Sequence, residues 1–513
     1  MATANVRFAR TEIRRQFEKW QLIRDCLDGE QAVKAQGDVY LPRPNSADKS
    51  EENKARYASY LKRAVFYNTT RRTLDGLVGQ VFVRDPVYIL PDGLEKTLLE
   101  DIDGAGCGFH EQAKKTLADT MSFGRTGLFV DYPPVTSVVT KQQQDAGYVR
   151  PVVILYQPEN VINWRTALIG SKRLLSLVVL QEQYLARDDG FQPIYEFQWR
   201  ILKLVPVSSV AESIRYPPDT QHLYSVEIWR EIVENAATPD TRMLVPVNTY
   251  FPRDSEGNVL TEIPFTFVGS MSNDPDVDPA PLYDLAILNI AHYRNSADYE
   301  EACFLVGQPT VYAAGLTESW VKDVLGGGIQ IGSRAVIPLP VGGTAGLLQV
   351  SPNSLPKEAM DQKEKEMVAL GARLVEQRKV QQTLGEAQQK EAAQMSILAS
   401  VAKNVGAGYT RCLHWCSLYQ GSDGEVKYEL NTDFLASQMT SDERAQLVAE
   451  WQAGGISYTE YRTKIRKAGI ATQNDEESRK EAEGDPLRAP KKDPKVDPNL
   501  ERVAPGQNSK TQT

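Results

Sequence analysis

The chain is poor in the side chains that most often do chemistry. Its 513 residues include five cysteines and four histidines. Cys26, Cys107, Cys303, Cys412 and Cys416 follow no disulfide or metal-binding spacing, which argues against a stapled scaffold and for a reducing compartment. Long apolar runs are missing too: LLSLVVL at 174–180 is far too short to cross a bilayer. The first residues, MATANVRFARTEIRRQF, are basic and amphipathic but lack an apolar core region and a cleavage motif, so no secretory signal is expected. Positive charge is not in excess. Lys and Arg number 58 against 67 Asp and Glu, a formal charge of −9. That balance disfavours a general nucleic-acid binder, yet a mildly acidic wall repels phosphate rather than trapping it, so passing contact with DNA stays open.

Catalytic signatures are equally scarce. There is no G-x-S-x-G, H-E-x-x-H or G-x-G-x-x-G. His110, His222 and His292 sit in separate elements with no Ser or Cys at a suggestive spacing, and no catalytic residue is expected. Gly124-Arg-Thr-Gly127 and Gly342-Gly-Thr-Ala-Gly346 do not fit a phosphate loop and read as turns or caps. Cys412-Leu-His-Trp-Cys416 sets two thiols four apart on a helix with His414 off that face. A tetrahedral zinc site needs about four converging ligands, so buried thiols are the expected reading; no metal and no cofactor is assigned.

What is present is an ordinary composition, 41% hydrophobic, enough for two to four folding units. The stretch 281–420 organises the rest. A helix over 281–304 places Leu282, Leu285, Ala286, Ile290, Tyr293 and Ala297 on one face, with Asp284, Arg294, Asp298 and Glu301 on the other. A Gly- and Pro-punctuated insert follows over 305–350: QPTVYAAGL, a short helix TESWVKDVL, then strands IQIG, AVIPLP and LLQV. A second helix starts at Ser354 with Pro356 in its first turn, where the missing N–H costs nothing. It carries Met360, Met367, Leu370 and Leu374 as a sparse stripe, and i,i+4 pairs Lys357–Asp361 and Asp361–Lys365. A polar segment and a last helix over 386–420 complete an arm that sends a small lobe outward and returns. Ala387, Met395, Leu398, Val401, Ala402 and Val405 are that helix's apolar positions.

Before this stretch, amphipathic helices are expected over 5–30, 54–81 and 94–121. The last is closed by Gly124 and turns into a strand. From 151 to 268 the period approaches two, and VVILYQ, LLSLVVLQEQYL, IYEFQWRILKLV, LYSVEIWREIV and PFTFV read as one antiparallel meander. After Gln420, GEVKYELN is a strand. Two short helices start at capping boxes, Thr440 to Glu443 and Ser457 to Glu460, and stop at Gly454-Gly455 and Gly469. From 474 onward the chain is charged and poor in large apolar residues, and is expected to be disordered.

Several stretches in this order resemble the portal proteins of tailed bacteriophages, the ring at one capsid vertex through which DNA passes. They are WQLIRDCLDGEQAVKAQGDVYLPRP, RAVFYNTTRRTLDGLVGQVF, YQPENVINWR and LAILNIAHYRNSADYEEACFLVGQPTVYAAGL, and the resemblance extends over about 10–470. It implies an α+β, portal-type fold. The wing would span 1–280, helical over 1–135 and β-rich over 136–270. Stem helices would lie at 281–304 and 351–372, with a small α/β clip at 305–350 between them. A tunnel loop would follow at 373–385, the long wing helix and a strand at 386–438, and a helical crown at 439–473.

The same resemblance implies a non-enzymatic homo-oligomeric ring, usually of twelve subunits, in the virion and made in the host bacterial cytoplasm. Double-stranded DNA would pass through without sequence reading. The protein partners would be the large terminase subunit, a head-completion or adaptor protein, and the major capsid and scaffolding proteins; no membrane is involved. By analogy Arg373, Arg378, Lys379, Gln381 and Gln382 would meet DNA in the tunnel. Lys357, Lys363 and Lys365 would line the stem, and Trp320, Lys322 and Asp323 would dock partners at the clip. Read from the residues alone, 373–389 is either a solvated helix connection or a mobile loop offering donors to phosphates. Another structural head–tail connector protein, or an enzyme acting on phosphate esters, are the other classes.

Overall fold

A computed structural model describes residues 5–91, 93–132, 149–212, 214–233, 242–307, 310–325, 338–348, 354–375, 396–422, 424–434 and 441–467. The chain divides into two units, 1–434 and 435–513.

The N-terminal helices are shorter than periodicity alone predicts. Residues 5–30 hold α1 (Thr11–Arg14) and α2 (Phe17–Asp28), and Gly29 at φ +97° turns the chain into α3 (Glu30–Ala35). Of the apolar positions expected on one face, Ile13, Trp20 and Ile23 are buried, whereas Phe8 and Phe17 are exposed. The Trp20 indole donates to Phe123 O at 2.9 Å, which satisfies its only donor inside the core. In place of one helix over 54–81 there are α4 (Glu51–Arg63) and α5 (Thr69–Val81). Asn68 caps α5 by accepting from Arg71 N at 3.0 Å. After β1 (Val87–Ile89), the segment 94–121 likewise splits into α6 (Glu95–Glu100) and α7 (Phe109–Phe123). Gly104 and Gly106, both at positive φ, lie in the loop between them.

Gly124 ends α7 in the left-handed conformation and the chain enters β2 (Arg125–Asp131), as expected. The strands that follow are β3 (Val152–Tyr156), β4 (Val161–Ile169), β5 (Lys172–Asp188), β6 (Pro193–Pro206), β7 (His222–Val233), β8 (Arg242–Tyr250) and β9 (Phe265–Gly269). They do not form one meander. β4 to β8 pair in chain order as a five-stranded antiparallel sheet, while β3 and β9 flank β2 in a separate three-stranded sheet. Burial separates the two. Every residue of β9 is buried, the mark of a strand covered on both faces. β4 and β8 escape period-two reading. β8 carries Pro246 next to a register shift opposite Trp229, tolerable because β8 is the sheet's edge.

The arm comprises α8 (Tyr283–Gly307), β10 (Thr310–Ala314), α9 (Glu318–Asp323), β11 (Thr344–Leu348) and α10 (Leu355–Val375). The α9 helix has Thr317 as its cap. The expected strand IQIG, the start of AVIPLP and the end of LLQV lie outside the described residues; 338–340 are not strand, and Leu347 and Leu348 are the last two residues of β11. α10 runs on to Val375, past the expected boundary at 372. α11 (Ile397–Gln420) then crosses the centre of the unit, and β12 (Lys427–Glu429) pairs antiparallel with β1.

α11 is the core element. Leu398, Val401, Ala402, Val405, Tyr409, Cys412, Leu413, Trp415 and Cys416 are all inaccessible to solvent, a helix buried nearly all round. Two glycines let other elements come close. A Cβ on Gly408 would stand 2.7 Å from Val268 Cγ2 of β9, and one on Gly406 would stand 2.9 Å from Tyr428 O of β12. Ala387 and Met395, assigned to this helix from spacing, lie outside the described residues.

The second unit contains α12 (Ser441–Gln452) and α13 (Tyr458–Lys467). Its second capping box forms: Glu460 N donates to Ser457 Oγ at 3.2 Å and Ser457 N to Glu460 Oε2 at 2.8 Å. Trp451 stacks on Tyr461 between the helices. Thr440, Gly469 and the tail from 474 lie outside the described residues.

Candidate functional site

α8 and α10 form an antiparallel hairpin. β10 and β11 pair antiparallel at its far end, with Val311 opposite Leu347. Midway, Asn295 of α8, with its amide turned to satisfy both partners, accepts from Lys363 Nζ of α10 at 3.3 Å. Burial on α8 stops at Ala297, and on α10 it begins at Met367. The outer halves, 298–307 and 355–366, hold no fully buried side chain, although Asp298, Glu301 and Phe304 still lie against Tyr60 and Arg63 of the N-terminal helix α4. Phe304, Leu305 and Leu355 are exposed there, and Tyr312, Val341 and Leu347 in the lobe beyond.

The root of the hairpin is fastened by polar side chains of α8. Asn289 Oδ1 accepts from Thr70 N at 3.2 Å and Thr70 Oγ1 at 2.9 Å, and its Nδ2 donates to Tyr67 O at 2.7 Å. Ser296 Oγ donates to Val65 O at 2.6 Å and accepts from Val65 N at 2.9 Å. The backbone between α4 and α5 thus finds on α8 the partners that buried peptide groups require. Further out, Arg294 Nε donates to Tyr40 O at 2.7 Å, Tyr60 Oη donates to Asp298 Oδ1 at 2.6 Å, and Arg63 pairs with Glu301. Burial, and then Asp298 beside it, pushes the Tyr60 phenol well above its usual value. His292, also buried on α8, packs edge-on against Tyr67 at 5.5 Å. Burial lowers its affinity for a proton, opposed by Glu364 of α10.

The polar face of α8 is therefore not a free surface. Arg294, Asp298 and Glu301 bind N-terminal elements 238 to 254 residues away in sequence, and no local pattern reveals those partners.

α10 carries the exposed charge. Glu358, Asp361, Glu364 and Glu366 alternate with Lys357, Lys363, Lys365 and Arg373, four of each sign on one helix. Among the described residues the expected pairs Lys357–Asp361 and Asp361–Lys365 are not closed. Instead Ser354 Oγ donates to Glu358 at 2.7 Å and Gln362 Nε2 to Glu366 at 2.9 Å.

The residues singled out from sequence are distributed as follows. Lys357, Lys365 and Arg373 are exposed on α10, Arg373 in its last turn. Lys363 is half-buried and turned toward α8. Arg378, Lys379, Gln381 and Gln382 lie outside the described residues. In the lobe the Trp320 indole donates to Pro338 O at 3.2 Å, Lys322 pairs with Glu318 at 3.0 Å, and Asp323 is exposed.

Other titratable clusters are occupied by packing. Cys412 and Cys416 are buried, with burial pushing the Cys416 thiol up to about 12. His414 is exposed off their face. His110 Nδ1 lies 3.1 Å from Tyr428 Oη. Among the described residues no group of three His, Cys, Asp or Glu side chains could hold a metal ion. The Arg200 guanidinium bridges the two sheets, 2.6 Å from Asp131 and 2.8 Å from Glu182. No described helix is long and apolar enough to cross a membrane.

Residues 281–420 match the model of a family described as a domain of unknown function, DUF4055. No curated protein matches the chain. Among solved structures, a chain from the virion of a native gene transfer agent particle is 14% identical, with 87% of this chain and 100% of that one covered and a TM-score of 0.38. A chain from the neck of an empty gene transfer agent particle is also 14% identical, covering 87% and 99% with a TM-score of 0.39.

Proposed function

We propose that this protein is a portal-type subunit of a tailed-phage particle, acting as one stave of a ring that conducts duplex DNA and docks packaging and neck proteins. Besides the sequence resemblance, one observation carries the reading: the projecting α8–α10 hairpin, rooted in the core by buried polar bonds and lined on α10 by four acidic and four basic side chains. A helix with no net charge gives a duplex no field to bind. Its alternating signs let phosphates pass without the counterion release that drives tight association. The exposed apolar residues of the outer hairpin and its lobe, Leu305, Leu355 and Leu347, favour packing against neighbouring copies. In this role the chain acts by shape and charge, with no catalytic residue, and its place is the virion.

Electron microscopy of the purified full chain tests the first half of the reading. Closed rings with a channel of about 20–40 Å, the width a duplex requires, are expected; a closed compact dimer without a channel would overturn it. The second half is tested on rings carrying Glu358→Lys, Asp361→Lys and Glu366→Lys together. These should retain duplex DNA in low salt and lose it steeply as salt rises, whereas unmodified rings should not retain it. Neutralising Arg378 and Lys379 with no change in packaged or retained DNA would remove the tunnel assignment.

A further inference from the structure

β5 and β6 run on past the core as a two-stranded finger. Val178, Leu180 and Leu202 at its base are buried, while Leu185, Tyr195 and Phe197 toward its tip are exposed. The tip turn is closed by its own carboxylates. Asp188 Oδ1 accepts from Gly190 N at 2.8 Å, and Asp189 Oδ1 accepts from Phe191 N at 2.9 Å and Gln192 N at 2.7 Å. Such a turn is pre-organised. It holds out Phe191, which is 98% exposed and so touches almost nothing of its own chain. The tip thus presents one large apolar ring with Asp188 and Asp189 on one side of it, and Arg187 exposed behind them on β5.

A second surface complements it. An open groove of about 1100 Å³ runs between α11 and the segment carrying β12. Its floor is made of small residues, Gly406 and Ala407, and along it stand Lys403, Arg411 and His414, spaced on one stripe of the helix. Among the described residues neither Lys403 nor Arg411 has an ion-pair partner. Glu425 and Glu429 also line the groove, but Lys427 pairs with Glu429 at 3.1 Å.

We propose that the β5–β6 tip of one copy seats in the α11–β12 groove of the next, with Phe191 over Gly406 and Ala407 and with Asp188 and Asp189 facing Lys403 and Arg411. Tip and groove are different surfaces, so the contact is head-to-tail. Repeated, it closes into a ring or runs on as a filament. The inference rests on the self-association in the proposed function and names a contact that builds it.

The test uses the full chain, mixed in equal parts with and without heavy-isotope label, at concentrations where rings form. A zero-length carbodiimide reagent should join Asp188 or Asp189 to Lys403, and the joined peptides should include light–heavy hybrids. Reversing charge on the tip (Asp188→Lys with Asp189→Lys) or on the groove (Lys403→Glu with Arg411→Glu) should each lower the ring fraction by about tenfold or more, since like charges face each other. The two reversals together should restore it, and Asp188→Asn with Asp189→Asn, whose amide oxygens keep the turn's acceptors, should lower it by loss of charge alone, with unfolding midpoints unchanged throughout. Rings that form normally in each reversed variant, or that never yield the hybrid peptide, would overturn the contact and leave the ring reading standing. A chain that stays monomeric or forms a channel-less dimer would overturn both.

Discussion

Tyr60 donates its phenolic hydrogen to Asp298 Oδ1 at 2.6 Å, across 238 residues of sequence. The bond sits where α8 leaves the core, with Arg63 and Glu301 paired beside it. It ties the projecting hairpin to the N-terminal helices at the point where its leverage is greatest. Tyr60 is buried while Asp298 is exposed, so in a Tyr60→Phe variant water can replace the lost donor. The expected cost is about 1 kcal/mol, that of an ordinary hydrogen bond, because water takes over at the carboxylate. It should appear as a lower urea midpoint at unchanged slope. An unchanged midpoint would mean the contact fastens nothing.

Arg200 stands at the seam of the two sheets, with Asp131 of β2 and Glu182 of β5 on either side. Arg200→Met leaves two half-buried carboxylates without their cation. A loss of about 3 kcal/mol is expected, the low end for a broken buried ion pair because both carboxylates keep some solvent. Adding Asp131→Asn and Glu182→Gln should recover part of it. Calorimetry of the three variants checks the order, and equal stability of all three would rule out the charge explanation.

Gly124 closes α7 at φ +83°, and a Cβ there would lie 2.5 Å from Asp278 O, in the loop leading to α8. Gly124→Ala therefore meets both a left-handed backbone and a backbone wall. Destabilisation of roughly 1–3 kcal/mol is expected. A replacement of Gly170, which is also at positive φ but has nothing within 4 Å, should cost less, and denaturant unfolding of the pair separates wall from torsion.

Acid should loosen the root of the hairpin. Burial lowers the pKa of His292 in the folded chain, with a lesser pull upward from Glu364. Below the unfolded histidine value of about 6.5, the unfolded chain therefore binds more protons. Stability from this group is complete above that value and lost as pH falls through it toward the folded pKa. Asp119 acts in the opposite sense. Burial raises its pKa to about 6, so its contribution is present at low pH and lost as pH rises through about 6. The two are separated by comparing the unmodified chain with His292→Gln between pH 7.5 and 5. The variant should lose less stability on acidification, and identical pH curves would exclude His292 as the sensor.

Much of the arm was legible in the residue order because its signals are local. Apolar spacing from Leu282 to Ala297 marks a helix whatever it packs against, and all six positions on that stripe are buried. Pro356 in the first turn of α10 and the Ser457–Glu460 capping box are short-range devices of the same kind. Helix lengths in the N-terminal third were less legible: the breaks at residues 64–68 and 101–108 fall where the chain bonds to α8 and to β3.

By itself, then, the sequence determined the helices of the arm and the most apolar strands, and that the chain lacks the clustered thiols, imidazoles and motifs of common active sites. Tertiary structure decided which sheet each strand joined. β3 and β9 read like the other apolar runs, and only their pairing on either side of β2 separates them from the meander. It also decided that Arg294, Asp298 and Glu301 are anchors and not a solvated face. A hydrogen bond spans about 3 Å of space and any distance of chain, so the partners of a polar residue are settled only when the backbone has been folded around it.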